Sequence, residues 1–186
     1  MRHAASFASL LRPCLGPILL GALVAPVVPG QEPAPFVSTE GRFSASMPGS
    51  PKHETVDVAS PGATPTIQHQ FTVAAENGMY LISYQDNPNL QGGTDRQIES
   101  ALKEGRDALK RAFQGEVLEE NSMRLQGKHP GLEVRLSIPA AKGEARCRLF
   151  LVGIRLYQVM AVGVPEFVAS ESTVGVLDSF QTLDDD

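Results

Sequence analysis

Apolar and polar residues alternate over most of the chain with the two-residue period of a half-buried β-strand, and one long stretch switches to a helical period. The alternation is sharpest around Asn77-Gly78, the preferred pair for a two-residue type I′ turn. With that pair at the tip, Ala75 faces Tyr80, Val73 faces Ile82, Phe71 faces Tyr84 and His69 faces Asp86. One face of this hairpin is then apolar and the other, with Ala74, Leu81, Thr72 and Ser83, is mixed. A slip by one residue would mix the faces, so pattern and turn agree.

Residues 95–113 carry the helical stretch. Ile98, Ala101, Leu102, Gly105, Leu109, Ala112 and Phe113 form a single stripe. Thr94 reads as the N-cap, with Gln97 at capping-box spacing, and Gly115 as the stop. Gly105 within the stripe allows close approach to a sheet, and Glu99–Lys103 and Asp107–Arg111 pair on the outer side. Strands are expected at 41–48, about 116–126, 132–138, 144–152 and 155–163, with Pro130-Gly131 at the centre of a type II turn. Residues 52–65 read as a polar loop. Leu149–Val152 and residues 156–164 are apolar on both faces, as in the middle of a sheet covered on both sides. A short helix near 171–179 offers Val174 and Leu177 as cover. The expected class is α+β: a mainly antiparallel sheet of about six to seven strands, flanked by one long and one short helix.

The N-terminus changes the setting. Arg2, His3 and Arg12 precede a nearly uncharged run from Leu15 to Val28, and no acid occurs before Glu32. A basic start, a short apolar stretch and small residues before Gln31 read as a secretory signal peptide, residues 1–30. The run is fourteen residues long and interrupted by Pro17 and Pro26. It falls short of the roughly 20 residues that span a bilayer. Arg12-Pro13 ahead of Cys14 does not suit lipidation. Residues 31–40 then read as a linker, 41–183 as a single domain, and 184–186 as an acidic tail.

The leader holds two arginines and no acid, so the chain beyond Gly30 has 14 basic and 21 acidic residues, a net charge of −7. That opposes nonspecific binding to nucleic acid and to anionic lipid. Membrane contact is expected only through an uncleaved leader. Cys147 alone remains after cleavage, so no internal disulfide is possible and packing must hold the exported chain together.

Several segments resemble a known family. Gly41-Arg42-Phe43-Ser44 followed by Met47-Pro48-Gly49-Ser50-Pro51 is similar to the opening strand and turn of many small exported bacterial proteins. Gly127, Pro130-Gly131 and Glu133 resemble their mid-chain turn, and Arg155-Leu156-Tyr157 and Ser179-Phe180 their late strand and closing helix. With the order of elements, these resemble the PsbP-like α/β/α sandwich over residues 41–183. The matching residues belong to turns and core, so the resemblance implies fold rather than chemistry. It implies a noncatalytic binding or assembly module, without cofactor, for a protein or small ligand outside the cytoplasm.

Three constellations bear on chemistry. His69 opposite Asp86, with Cys147 as nucleophile, would make a thiol-dependent hydrolase. Against it, a histidine–carboxylate pair is an ordinary cross-strand contact, and strand alternation sends Arg146 and Arg148 away from Cys147, leaving a buried thiol. Arg135, Arg146 and Arg148 would clamp a carboxylate or phosphate, but Glu133 and Glu144 nearly cancel their charge. The loop at 139–143 leaves the register of that hairpin open. His53, His69 and His129 show no metal-ligand spacing, and no phosphate-binding, serine-hydrolase or zinc-protease motif occurs. A third alternative keeps residues 15–28 as the anchor of an envelope assembly factor.

Overall fold

The computed structural model of the protein describes residues 34–58 and 66–183. The signal-peptide reading of residues 1–30 and the tail at 184–186 lie outside the described residues.

Strands β1 (Ala34–Ser38) and β2 (Phe43–Met47) pair with each other. Strands β3 (Lys52–Val58), β4 (Thr66–Ala75) and β5 (Gly78–Asp86) follow. Helix α1 (Asp95–Phe113) then crosses to β6 (Val117–Leu125), β7 (His129–Ile138), β8 (Gly143–Val152) and β9 (Arg155–Gly163). Two short helices, α2 (Pro165–Ala169) and α3 (Glu171–Asp178), lead to β10 (Gln181–Thr182). The large sheet has the order β3-β4-β5-β9-β8-β7-β6, and every neighbouring pair in it is antiparallel. The small sheet has the order β1-β2-β10.

Strand period two divides the large sheet into two apolar faces, and each has its own cover. Leu132, Val134, Leu136, Cys147, Leu149, Leu151 and Met160 pack under Leu102, Leu109 and Phe113 of α1. Phe71, Val73, Tyr84, Phe150, Tyr157 and Val159 pack under Phe43, Ala45 and Met47 of the small sheet and Val176 and Leu177 of α3. The result is the α+β sandwich expected from the pattern, with β8 and β9 inside the sheet and covered on both sides. The helix forms as its sequence dictates. Thr94 Oγ1 accepts from Gln97 N–H, while Gln97 Oε1 accepts from Thr94 N–H at 2.9 Å. Gly105 lies over Leu149, where an added Cβ would come 3.1 Å from Leu149 Cδ1.

Several local expectations need correction. Residues 34–38, read as linker, form β1, and residues 52–58, read as loop, form the polar edge strand β3. Charged side chains suit such an edge, because they discourage pairing with another chain. The hairpin tip is Glu76-Asn77 rather than Asn77-Gly78, so Ala75 pairs with Gly78, Val73 with Tyr80, and His69 with Tyr84. The shift of two keeps every residue on its expected face but changes its partner. Gly78 is consumed by packing: a Cβ there would lie 2.4 Å from the Val162 carbonyl oxygen and 2.5 Å from the Phe167 ring. The Pro130-Gly131 turn is likewise displaced. The left-handed pair is Gln126 (φ 50°) and Gly127 (φ 71°), and Pro130 lies inside β7, just ahead of its ladder with β8. Helix α1 stops on Gln114, left-handed at φ 49°, one residue before Gly115. Asp107 is taken by Arg106, which also reaches Glu120 on β6 at 2.7 Å, rather than by Arg111.

Candidate functional site

One row across the large sheet reads Thr55, His69, Tyr84, Tyr157 and Phe150 on five adjacent strands. Registers place these side chains together on the face beneath the small sheet. The His69 ring lies flat on Tyr84, with centroids 4.6 Å apart and planes 6° from parallel. One step along, His53 lies flat on Phe71 at 4.4 Å. Phe43, from β2, meets Phe71, Tyr84 and Tyr157 edge-on from above.

Arg155 closes the end of this row. Its Nε and Nη2 donate to the two oxygens of Asp86 at 2.6 and 2.9 Å. Its Nη1 donates to the Glu40 carbonyl at 3.0 Å, and its guanidinium carbon sits 4.5 Å above the Tyr84 ring. Tyr157 Oη donates to the Gly41 carbonyl at 2.8 Å. Two side chains of β9 thus clamp the β1–β2 turn onto the large sheet. The Leu183 N–H adds a bond to the Arg42 carbonyl at 2.8 Å. Between this turn, the β8–β9 turn and the segment Thr182-Leu183 lies a concavity of about 370 Å³, lined by Arg42, Asp86, Val152, Ile154, Arg155 and Leu183 among others.

The hydrogen bond from Arg155 is the main reason the Asp86 carboxyl is held below the usual aspartate range. Asp86 and burial have opposite effects on Arg155, and the hydrogen bond to Asp86 prevails, strengthening its positive charge. Burial, aided by the nearby Glu40 carboxylate, pushes the Tyr84 phenol up to about 12. Its hydroxyl is buried and has no hydrogen-bond partner among the described residues. Burial also raises Tyr157. These groups are therefore fixed in one protonation state near neutral pH: a cation, a carboxylate and two neutral phenols.

The residues singled out from sequence fall into separate places. His69 and Asp86 share this face, but Asp86 is bound to Arg155 and His69 faces Tyr84. Cys147 is fully buried on the opposite face, under α1. Burial foremost, then the Glu133 carboxylate, pushes its thiol up. The Cys147–His69–Asp86 arrangement is therefore not assembled: the sheet stands between nucleophile and base. Accordingly, a thiol reagent should leave Cys147 untouched in the folded protein and modify it rapidly after denaturation, as read by mass. Fast labelling without unfolding would return the thiol to consideration.

Arg135, Arg146 and Arg148 do come together, in a closed ladder. Arg135 bonds Glu144 at 2.6 Å, and Arg146 and Arg148 grip the two oxygens of Glu133 at 2.7 and 2.6 Å. Arg148 also reaches Asp178 of α3 at 2.6 Å. Burial opposes ionisation of Glu133, yet the two arginines outweigh it and hold its carboxyl below the ordinary range. The ladder fastens α3 to the sheet, and each arginine in it is already matched by an acid. Among the described residues, no group of three or more His, Cys, Asp or Glu is placed to hold a metal ion. No described helix is long and apolar enough to cross a membrane. Sequence reasoning missed Glu40, Tyr84 and Arg155 as site residues. Arg155 and Tyr157 carried the family resemblance, but no local motif ties them to Asp86 or to the β1–β2 turn.

No protein-family model matches the chain, and no curated protein matches it. Among solved structures it is similar to the solution structure of cyanobacterial PsbP (CyanoP) from Synechocystis sp. PCC 6803. The TM-score is 0.55 at 11% identity, covering 87% of this chain and 99% of that one. The protein thus has the PsbP-like α+β sandwich fold. A crystal structure from Bacteroides thetaiotaomicron VPI-5482 overlaps more loosely, with a TM-score of 0.38 at 12% identity over 84% of this chain and 50% of that one.

Proposed function

We propose that this protein is an exported binding or assembly module that works outside the cytoplasm without performing chemistry. Its binding face is the concavity between the β1–β2 turn, the β8–β9 turn and the segment Thr182-Leu183. The observation that carries this reading is the Arg155 clamp. A bidentate ion pair, a carbonyl contact and a ring contact hold the wall of the concavity in one shape before any ligand arrives. Preorganisation of that kind favours binding, because little ordering remains to be done on association. Apolar Val152, Ile154 and Leu183 beside fixed polar groups give the usual composition of a recognition site. The PsbP-like fold supports the same reading, as does a leader that suits export.

The test uses the full chain expressed with its own leader and a photo-crosslinking residue at Leu183. Processing between Gly30 and Gln31, read by mass, and an adduct of discrete mass from Leu183 are expected. The same crosslinker at Glu99, on the outer side of α1, should yield none. An unprocessed cytoplasmic chain, or equal adducts from both positions, would sink the proposal.

A further inference from the structure

His53 and His69 belong to neither the Arg155 clamp nor the ladder of arginines. They are sixteen residues apart, and only the β3–β4 register brings them together: His53 pairs with Phe71 and Thr55 with His69. His53 Nε2 and His69 Nδ1 are 3.3 Å apart, while the ring centroids are 5.5 Å apart and the rings 13° from parallel. The two nitrogens therefore lie between the rings and face each other. Phe71 and Tyr84 hold each ring flat from behind.

We propose that these two nitrogens form a chelate for a divalent transition metal, Zn²⁺ in particular, with water completing the coordination. Zinc bonds histidine nitrogen at about 2.0–2.1 Å, so two tetrahedral bonds put the nitrogens roughly 3.3–3.4 Å apart. The observed separation is already of that size. The rings need to turn within their stacked planes, not to move apart, and His53 has room to turn because it is exposed on an edge strand. A square-planar cation such as Cu²⁺ would require contraction to about 2.9 Å. The remote nitrogen of His69, Nε2, lies 3.8 Å from Glu40 Oε1. A carboxylate on that side favours the tautomer with hydrogen on Nε2 and leaves the Nδ1 lone pair facing His53. At 3.8 Å this carboxylate is short of hydrogen-bond contact, and a small movement of the exposed Glu40 side chain would complete the outer-shell bond that orients histidines bound to metals. With that tautomer of His69, His53 Nε2–H donates to His69 Nδ1 in the metal-free chain. On binding, His53 carries its hydrogen on Nδ1 instead, so the neutral pair loses no proton. Occupancy would staple the polar edge strand to β4 and, through Glu40, to the β1–β2 turn.

The experiment titrates Zn²⁺ into the full chain, purified without a polyhistidine tag, against a chromophoric competitor, with ring-nitrogen NMR shifts as second readout. One equivalent should bind, moving His53 Nε2 and His69 Nδ1 and raising the unfolding midpoint. His53→Ala should abolish the equimolar transition. So should His69→Phe, which keeps the ring on Tyr84 and removes only the donor. Glu40→Gln should weaken binding about tenfold. His129→Ala should leave it unchanged. Equimolar binding that survives when His53→Ala and His69→Phe are combined, or no binding with zinc in large excess, would overturn the proposal.

Discussion

Replacing Phe43 with alanine is expected to cost about 4 kcal/mol, read by urea unfolding of the variant beside the parent chain. Phe43 is completely buried and its ring meets Phe36, Phe71, Tyr84, Tyr157 and Phe180 at centroid distances between 5.5 and 6.4 Å. It touches rings from β4, β5, β9 and the connection between α3 and β10. Truncation removes its transfer free energy and leaves a cavity that a ring of aromatic neighbours fills poorly. The loss is a large share of the roughly 5–15 kcal/mol that holds a domain folded. No disulfide exists among the described residues to soften it, since Cys147 is free. Phe43→Leu should recover more than half. A cost near 1 kcal/mol for Phe43→Ala would mean that the small sheet is not packed on the large one as described.

The second large effect concerns Arg155→Met, with an expected cost of about 2 kcal/mol at neutral pH. That lies between the small worth of an exposed pair and the 3–5 kcal/mol lost when a buried pair is broken. The intermediate value follows from the exposures of the side chains, 19% for Arg155 and 44% for Asp86. The sign of its pH dependence is fixed by Asp86. Arg155 holds that carboxyl below its ordinary value of 3.8 in the folded state. The pair therefore contributes fully above that value, and the contribution disappears as pH falls through the folded-state pKa. Parent and variant should differ most at neutral pH and converge in acid. A gap that stays constant into acid would show that Arg155 acts through its packing on Tyr84 rather than through Asp86. Asp86→Asn at neutral pH separates the two contributions further, because it keeps the ring contact and weakens the ion pair.

The proposed function rests on the same clamp. Arg155 and Tyr157 are two residues apart, on one face of β9, and both reach main-chain carbonyls of the β1–β2 turn. A local period of two therefore builds the wall of the concavity, while the closing contacts come from the other end of the chain. The histidine pair shows the same dependence on register at the β3 edge of the sheet.

Helix α1 was legible to the residue, with both its ends and its capping box, because every signal for it lies within a few residues. The strands β6 to β9 were legible for the same reason, as was the division of β8 into an Arg146/Arg148 face and a Cys147 face. The small sheet was not. β1 has only five residues, among Pro and polar neighbours, and it is a strand because β2 and the apolar face of β4, β5 and β9 are there to receive it. β3 is nearly all polar, and its strand form comes from the edge of β4, not from its own pattern. The hairpin tip misled because Gly78 has two possible uses. Turn chemistry would employ its freedom at positive φ, whereas packing employs its missing side chain against Val162 and Phe167. The second use prevailed, and the partner of His69 changed from Asp86 to Tyr84.

By itself, then, the sequence determined the faces of α1 and of β4 to β9, the span of the long helix, and that Cys147 is the one cysteine among the described residues. These are consequences of period, capping and residue count, all local. Tertiary structure alone decided the partners: Arg155 with Asp86, His53 with His69, Cys147 sealed beneath α1. A partner depends on register, and a shift of two residues moves every neighbour while leaving each face of the strand the same.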